Sequence, residues 1–394
     1  MAVINPSAAG WIDKYFSTQT GLEAPESETA FYEAVRRSGF VYGYTIEPQD
    51  DQTLALTQDE KSKLALLDSL YRLYILETGD RRPEEAIAQL KAFYKAMNPG
   101  SLDFLKNVFP GKPSAALEQI LDERVKTNHD AISKNFSHIL TNALLFVDIL
   151  AFHRYLKRLG TPRKFIRKIE SSIVNLISIT LKTKVSPSPH DALLLKLFEA
   201  SVRYEKFDAR DINAVEDLAL HYYKFPLEKF YLIDIATMVL WRDGILENDE
   251  VYFLQKLAEI MDVDDTFVTT SVTESNTFLK THYDNLPYFH YSNPVRHFYD
   301  NLSHSVMVLL TRNKKRLIKE ISQSKELMIL LAKSTQRDLS SEEKKVVKSQ
   351  ILEICKTIPS LTIFLLPGGS LLLPLLIKFV PQLLPSAFNE NSEK

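Results

Sequence analysis

Apolar residues recur every three to four positions along most of this chain, the spacing of helices that bury one face. In EKSKLALLDSLYRLYIL, Leu64, Leu67, Tyr71, Tyr74 and Ile75 fall on one stripe. Similar stripes predict helices over 83–97, 114–126, 131–159 and 162–182. Pro162 sits just inside the last of these, where its missing N–H costs nothing. No convincing period-two alternation bounded by turn residues appears, so the predicted fold is all-α, a multi-helix array. Runs of turn formers in GFVYGYTIEPQDDQ, NPGSLDFLKNVFPGKPS, VSPSPH and NLPYFHYSNP interrupt the helices. They divide the chain into an N-terminal helical region at 1–185, a compact helical unit at 190–285 and a C-terminal helical arm at 297–394.

Composition narrows the function more than the fold. With 45% hydrophobic and 25% charged residues the chain is that of an ordinary folded protein. A net charge of −2 offers no general attraction to nucleic acid, and DNA is not an expected partner. The single cysteine, Cys355, excludes an intramolecular disulfide and a cysteine metal cage. Eleven glycines include no P-loop, no GxGxxG and no GxSxG elbow, and there is no HExxH. His290, His297 and His304 recur every seven residues without a carboxylate pair at ligand spacing. No cofactor, small-molecule substrate or enzymatic activity is indicated. The opening MAVINPSAAGWIDKYF lacks the basic and apolar regions of a signal peptide, which places the bulk of the protein in a cytoplasm.

The middle unit contains DIATMVLWRDGILENDEVYFLQKLAEIMDVDD. An apolar helix is predicted to end at Asp243, with Gly244 as a left-handed cap and a second amphipathic helix following. Asp243, Glu247, Asp249 and Glu250 cluster on the turn between them. Oxygen ligands of this kind suit a weak Mg²⁺ or Ca²⁺ site, yet the spacing is not that of an EF-hand loop. The favoured reading is that the acids cap the positive N-terminus of the second helix. This turn resembles that of the TerB-like (tellurite-resistance) helical domains.

The C-terminal arm is the most specific part. LSSEEKKVVKSQILEICKTIPS opens on a capping box, Ser340 with Glu343 three residues on. Val347, Ile351, Ile354 and Ile358 form one stripe, with Lys344, Lys345 and Lys348 elsewhere on the helix. There follows IPSLTIFLLPGGSLLLPLLIKFVPQLLPSAF, which carries Pro359, Pro367, Pro374, Pro381 and Pro385. From 357 to 377 there is no charge, enough for about 31 Å of helix, close to one hydrocarbon core. Pro367 and Pro374 would break such a helix. A kinked span, two short helices hinged at PGGS, and a hairpin buried in a soluble bundle all fit. If the stretch spans, Arg312, Lys314, Lys315, Arg316, Lys319, Lys344, Lys345, Lys348 and Lys356 hold its N-terminal side in the cytoplasm.

A capped basic-amphipathic helix running into a proline-interrupted apolar segment resembles the Letm family of leucine-zipper, EF-hand-containing transmembrane proteins of mitochondria. That family ends the segment in LPSxF, matched here by Leu384, Pro385, Ser386 and Phe388, with Lys378 in a similar basic-apolar pair. The Letm-like motif thus comprises Ser340, Glu343, Pro359, Pro367, Pro374, Lys378, Pro381, Leu384, Pro385, Ser386 and Phe388. With the TerB-like middle and the NPSAAGWIDKYF start, the whole chain is similar to bacterial Letm-related biofilm-associated proteins. The resemblance implies a membrane-lipid contact through 357–385, ribosome contact, and a role in cation or envelope homeostasis. The resulting expectation is a non-enzymatic interaction protein at the cytoplasmic face of a bacterial inner membrane, single-pass, or else wholly cytoplasmic. Two alternatives remain from other classes: a cation/proton transporter component, and a soluble TerB-like stress-response module. Neither a ligand nor an oligomeric state can be read from the residues.

Overall fold

A computed structural model of the chain describes residues 4–19, 23–46, 55–97, 112–126, 144–184, 214–241, 246–282 and 306–358, with 361, 376, 377, 379 and 380 beyond them. Every regular element among the described residues is helical. The first helices are α1 (Trp11–Thr18), α2 (Glu28–Arg37), α3 (Gln58–Thr78), α4 (Pro83–Met97) and α5 (Pro113–Lys126). They are followed by α6 (Phe146–Leu156), α7 (Pro162–Thr183), α8 (Pro226–Leu240), α9 (Asn248–Ile260) and α10 (Asp265–His282). A helical stretch at 306–312 leads into α11 (Lys314–Ser322), α12 (Lys325–Gln336) and α13 (Ser341–Thr357).

The helix ends have local causes. Gly10 precedes α1 at φ 84°, and no side chain of its own caps the helix. The Glu118 carboxylate of α5 does so instead, accepting from the Gly10 and Ile12 N–H groups at 3.1 and 3.0 Å. Thr57 caps α3, with Glu60 completing a capping box. The helix expected over 131–159 ends at Leu156 instead, because Arg158 (φ 58°) and Gly160 (φ 80°) turn the chain out of the helix; its expected first residues, 131–143, lie outside the described ones. Similarly, α8 ends at Leu240 rather than at Asp243, since Trp241 is already extended. Gly39 cannot be replaced: at φ 79° its Cβ would meet the Tyr44 carbonyl oxygen at 2.1 Å and the Phe278 ring at 2.5 Å. That close approach seats the Phe40–Tyr42 turn against α10, where Tyr42 Oη lies 2.9 Å from Ser275 Oγ.

Two helices are buried on more than one stripe, α8 on every face between 231 and 240 and α3 on all but the face of Lys61, Asp68 and Arg72. On α3, Leu67, Tyr71, Tyr74 and Ile75 of the predicted stripe are buried and Leu64 is half-buried, while Leu66, Leu70, Leu73, Ser62, Lys63 and Ser69 off the stripe are buried too. On α8 every residue from Tyr231 to Leu240 is buried. Such helices must sit inside a layer of others. α8 packs against α7, α10, α9 and α2, and α3 against α6, α5 and α2. One core among the described residues therefore runs from Trp11 to Leu279, on both sides of 185–190. The reason is α8 itself, whose apolar surface needs partners from both sides of that point. A second core is built from Val306 to Ile358 together with Leu361, Leu376 and Val380.

Buried charges set the register of the first core. Asp234, in the middle of α8, is fully buried and accepts from Tyr32 Oη at 2.6 Å and from Ser271 Oγ. Arg36 of α2 reaches it at 3.6 Å and lies over the Tyr32 and Phe267 rings. Burial raises the Asp234 carboxyl, and Arg36, Ser271 and Tyr32 act against that rise. Arg154 of α6 binds Glu228 of α8, with Nη2 at 3.0 Å from Oε2, and its guanidinium stacks on Phe165 and Tyr222. Replacing Asp234 by Ala leaves Arg36, only 3% exposed, without its counter-charge. The expected cost is about 3–5 kcal/mol in urea denaturation. A loss below about 1 kcal/mol, the scale of an exposed pair, would contradict the assignment.

Candidate functional site

The second core presents the residues that the sequence singles out. Helix α13 buries Val347, Ile351, Ile354 and Cys355. Its partners are the short amphipathic helices α11 and α12, which contribute Leu317, Ile321, Leu327 and Leu331. Ser324 caps α12 by accepting from the Leu327 N–H at 3.2 Å, and its hydroxyl also donates to Gln350 of α13 at 2.6 Å. Gln350 in turn donates to Glu326 at 2.6 Å, fixing the α12–α13 register. The start of α13 is held twice over. Ser340 Oγ accepts from the Glu343 N–H at 3.2 Å, and Glu343 accepts from the Ser340 N–H at 2.8 Å. Arg337 then grips the same carboxylate with two bonds, at 2.7 and 2.9 Å. The Arg337 bonds and the Ser340 N–H lower the Glu343 carboxyl to about 2.

This leaves one charged exterior. Lys344, Lys345 and Lys348 on α13 are exposed, as are Lys314, Lys315, Arg316 and Lys319 on α11. Between residues 306 and 358 the chain carries twelve Lys and Arg against six Asp and Glu, a local net charge of +6 in a chain whose total is −2. The positive field that the composition conceals is concentrated on this small unit. Cys355 is buried, and burial pushes its thiol up to about 12, so it is not a reactive group at neutral pH.

The unit is tied to the first core by a buried ion pair. Arg312 donates from Nη1 and Nη2 to the two oxygens of Glu60 at 3.0 and 2.8 Å, with side chains 6% and 1% exposed. Glu60 also accepts from the Thr57 N–H at 2.9 Å and from Ser7 Oγ at 2.6 Å. One carboxylate thus joins the N-terminal segment, the start of α3 and the basic unit. Burial by itself would raise its pKa, but the bonds from Arg312, Ser7 and Thr57 outweigh that and hold it below the ordinary 4.5.

Of the Letm-like motif, Ser340 and Glu343 are placed as above. Pro359, Pro367, Pro374, Lys378, Pro381, Leu384, Pro385, Ser386 and Phe388 lie outside the described residues, as do Asp243, His290, His297 and His304. In the acidic turn, Glu247 stands as N-cap of α9 and Asp249 is exposed, while Glu250 is buried and accepts from the Glu247 N–H at 3.0 Å. Among the described residues no helix is long and apolar enough to cross a membrane. Leu361, Leu376 and Val380, which flank or belong to the apolar stretch, are packed into the second core.

Sequence spacing missed a different cluster. His153 of α6 is fully buried, with Nε2 at 3.1 Å from Glu77 Oε1 on α3 and 3.2 Å from Glu28 Oε1 on α2. The three residues stand 49 and 76 positions apart along the chain, so no motif announces them. Lys157, one turn beyond His153, reaches Glu77 Oε2 at 2.8 Å and Glu28 Oε1 at 3.5 Å. Burial would lower the His153 imidazole, but its bonds to Glu28 and Glu77 outweigh that and raise it.

Residues 339–394 match a family model described as LETM1-like, RBD. The C-terminal segment is Letm-like. The match opens at Leu339, one residue before the cap of α13, and takes in the whole of that helix. In this chain the apolar stripe of the Letm-like helix is covered by α11 and α12, which precede the matched residues. Nothing among curated proteins or solved structures matches the chain.

The Glu60 link has a calculable pH dependence. Because its folded value lies below its unfolded one, its contribution to stability is complete above about 4.5 and is lost as pH falls through the lower folded value. The stability gap between the wild type and Arg312→Met is therefore widest near neutral pH and narrows on acidification, measured by thermal melts at a series of pH values. A gap independent of pH would show that Arg312 stabilises by packing alone.

Proposed function

We propose that this is a non-enzymatic, Letm-like interaction protein whose C-terminal unit contacts the ribosome through the basic exterior of α11 and α13. The observation that carries this reading is the concentration of +6 on the unit that contains the start of the LETM1-like, RBD match. Ribosomal RNA presents a dense array of phosphates, and exposed lysines on a rigid helix neutralise them with release of counterions. The first core, by contrast, carries the remaining negative charge of the chain and serves to hold this unit in place through Glu60 and Arg312.

We also infer that the apolar segment at 357–385 brings the unit to a membrane surface. Its uncharged run from 357 to 377 supports this, and a membrane would then lie next to the lysine-bearing helix. A second reading is favoured by the burial of Leu361, Leu376 and Val380: the segment folds back as a hairpin on its own unit. Carbonate washing of membranes separates the two, since an inserted segment stays in the pellet and a hairpin leaves the protein in the wash.

Ribosome contact is tested by co-sedimentation of the full chain with purified ribosomes. The expected result is binding that weakens steeply as salt rises from about 50 to 200 mM, and that falls at least about tenfold in Lys344→Glu/Lys345→Glu/Lys348→Glu. These side chains are exposed, so the variant keeps its core. Binding indifferent to both salt and charge reversal would overturn the proposal.

A further inference from the structure

We propose that Glu28, Glu77 and His153 form a binding site for a divalent first-row transition cation, with Zn²⁺ as the test ion. The site lies in the first core, apart from the basic unit, and does not depend on ribosome contact. Three helices meet there, through the first residue of α2, the last turn of α3 and the last turn of α6. One ligand atom from each of the three residues lies within 4.8 Å of the others.

The two spacings from His153 fit a coordination shell. Zinc bonds to nitrogen and oxygen are about 2.0–2.2 Å long, so two ligand atoms on one ion stand roughly 3.0–3.4 Å apart at octahedral to tetrahedral angles. His153 Nε2 stands 3.1 Å from Glu77 Oε1 and 3.2 Å from Glu28 Oε1. A single N–H at Nε2 can make a straight bond to only one of these two oxygens. A cation in front of the lone pair of Nε2 serves both. The second, independent observation concerns Glu28, whose Oε2 is buried with no hydrogen-bond partner. A buried carboxylate oxygen without a donor is costly, and a cation held by that carboxylate removes the cost.

The surroundings agree with this choice of ion. Imidazole nitrogen with two carboxylates suits zinc, manganese or ferrous iron better than calcium or magnesium, which prefer oxygen alone. Lys157 binds Glu77 through Oε2 at 2.8 Å, leaving Oε1 turned toward His153. The carboxylates give the ion a way in, since Glu28 and Glu77 are 20% and 13% exposed while His153 is closed off.

The test is calorimetric titration of the full chain with Zn²⁺ after chelator treatment, paired with the visible absorption of the Co²⁺-loaded protein. We expect one Zn²⁺ per chain and a Co²⁺ spectrum of mixed nitrogen and oxygen ligation. Glu28→Gln and His153→Gln each weaken Zn²⁺ binding at least about tenfold, the least that loss of even an outer-shell partner costs, and abolish that spectrum. Glu28 sits partly exposed in the first turn of its helix, so Glu28→Gln carries the test if the buried His153→Gln chain does not fold. No Zn²⁺ binding by the wild type, or binding of equal strength in Glu28→Gln, would overturn the proposal.

Discussion

The position of the basic unit depends on the ion pair between Arg312 and Glu60. A carboxylate 1% exposed has lost nearly all its water, and only a dense set of donors makes that tolerable. Glu60 has them from three directions: Ser7, the Thr57 N–H and both ends of a guanidinium. The planar fork of Arg312 fits two carboxylate oxygens at once, so the pair fixes an orientation as well as a distance. Removing one member leaves the other charge buried, so truncating the pair costs more than the pair's own net contribution to joining the two cores.

The same device recurs inside the first core. Asp234 and Glu228 lie on a helix whose buried surface is otherwise mostly apolar, and each finds an arginine from an earlier part of the chain. Hydrophobic burial drives these helices together but does not say how they are rotated. A buried carboxylate with a single matching guanidinium does. Asp148, fully buried on α6, is met in the same way by Arg124 of α5 and by Tyr94 of α4 at 3.2 Å. Buried charge pairs between helices thus orient an array whose apolar surfaces are nearly interchangeable.

This explains what could be read in advance. The helices at 83–97, 114–126 and 162–182 were legible because each carries one stripe, and the box at Ser340 and Glu343 because capping is a local contact. α3 and α8 were harder, since a helix buried on most or all of its faces has no single stripe to set its orientation. The candidate metal cluster left no trace in the sequence, because Glu28, Glu77 and His153 meet only through tertiary packing. Glu60 was equally hidden: in sequence it is the acid of a capping box, and its second role needs Arg312, 252 residues away. The charge asymmetry of the arm was visible only once whole-chain charge was set aside for the charge of one packed unit.

A large, negatively charged core thus carries a small positive unit, and the proposed ribosome-contact surface is the exterior of α11 and α13. Lysine footprinting by acetylation and mass spectrometry, with and without ribosomes, reads that surface directly on the full chain. The account predicts that Lys314, Lys315, Lys319, Lys344, Lys345 and Lys348 lose reactivity when ribosomes are added, while the exposed Lys95 and Lys280 of the first core keep theirs. Protection confined to the first core, with the lysines of α11 and α13 reacting as before, would contradict it.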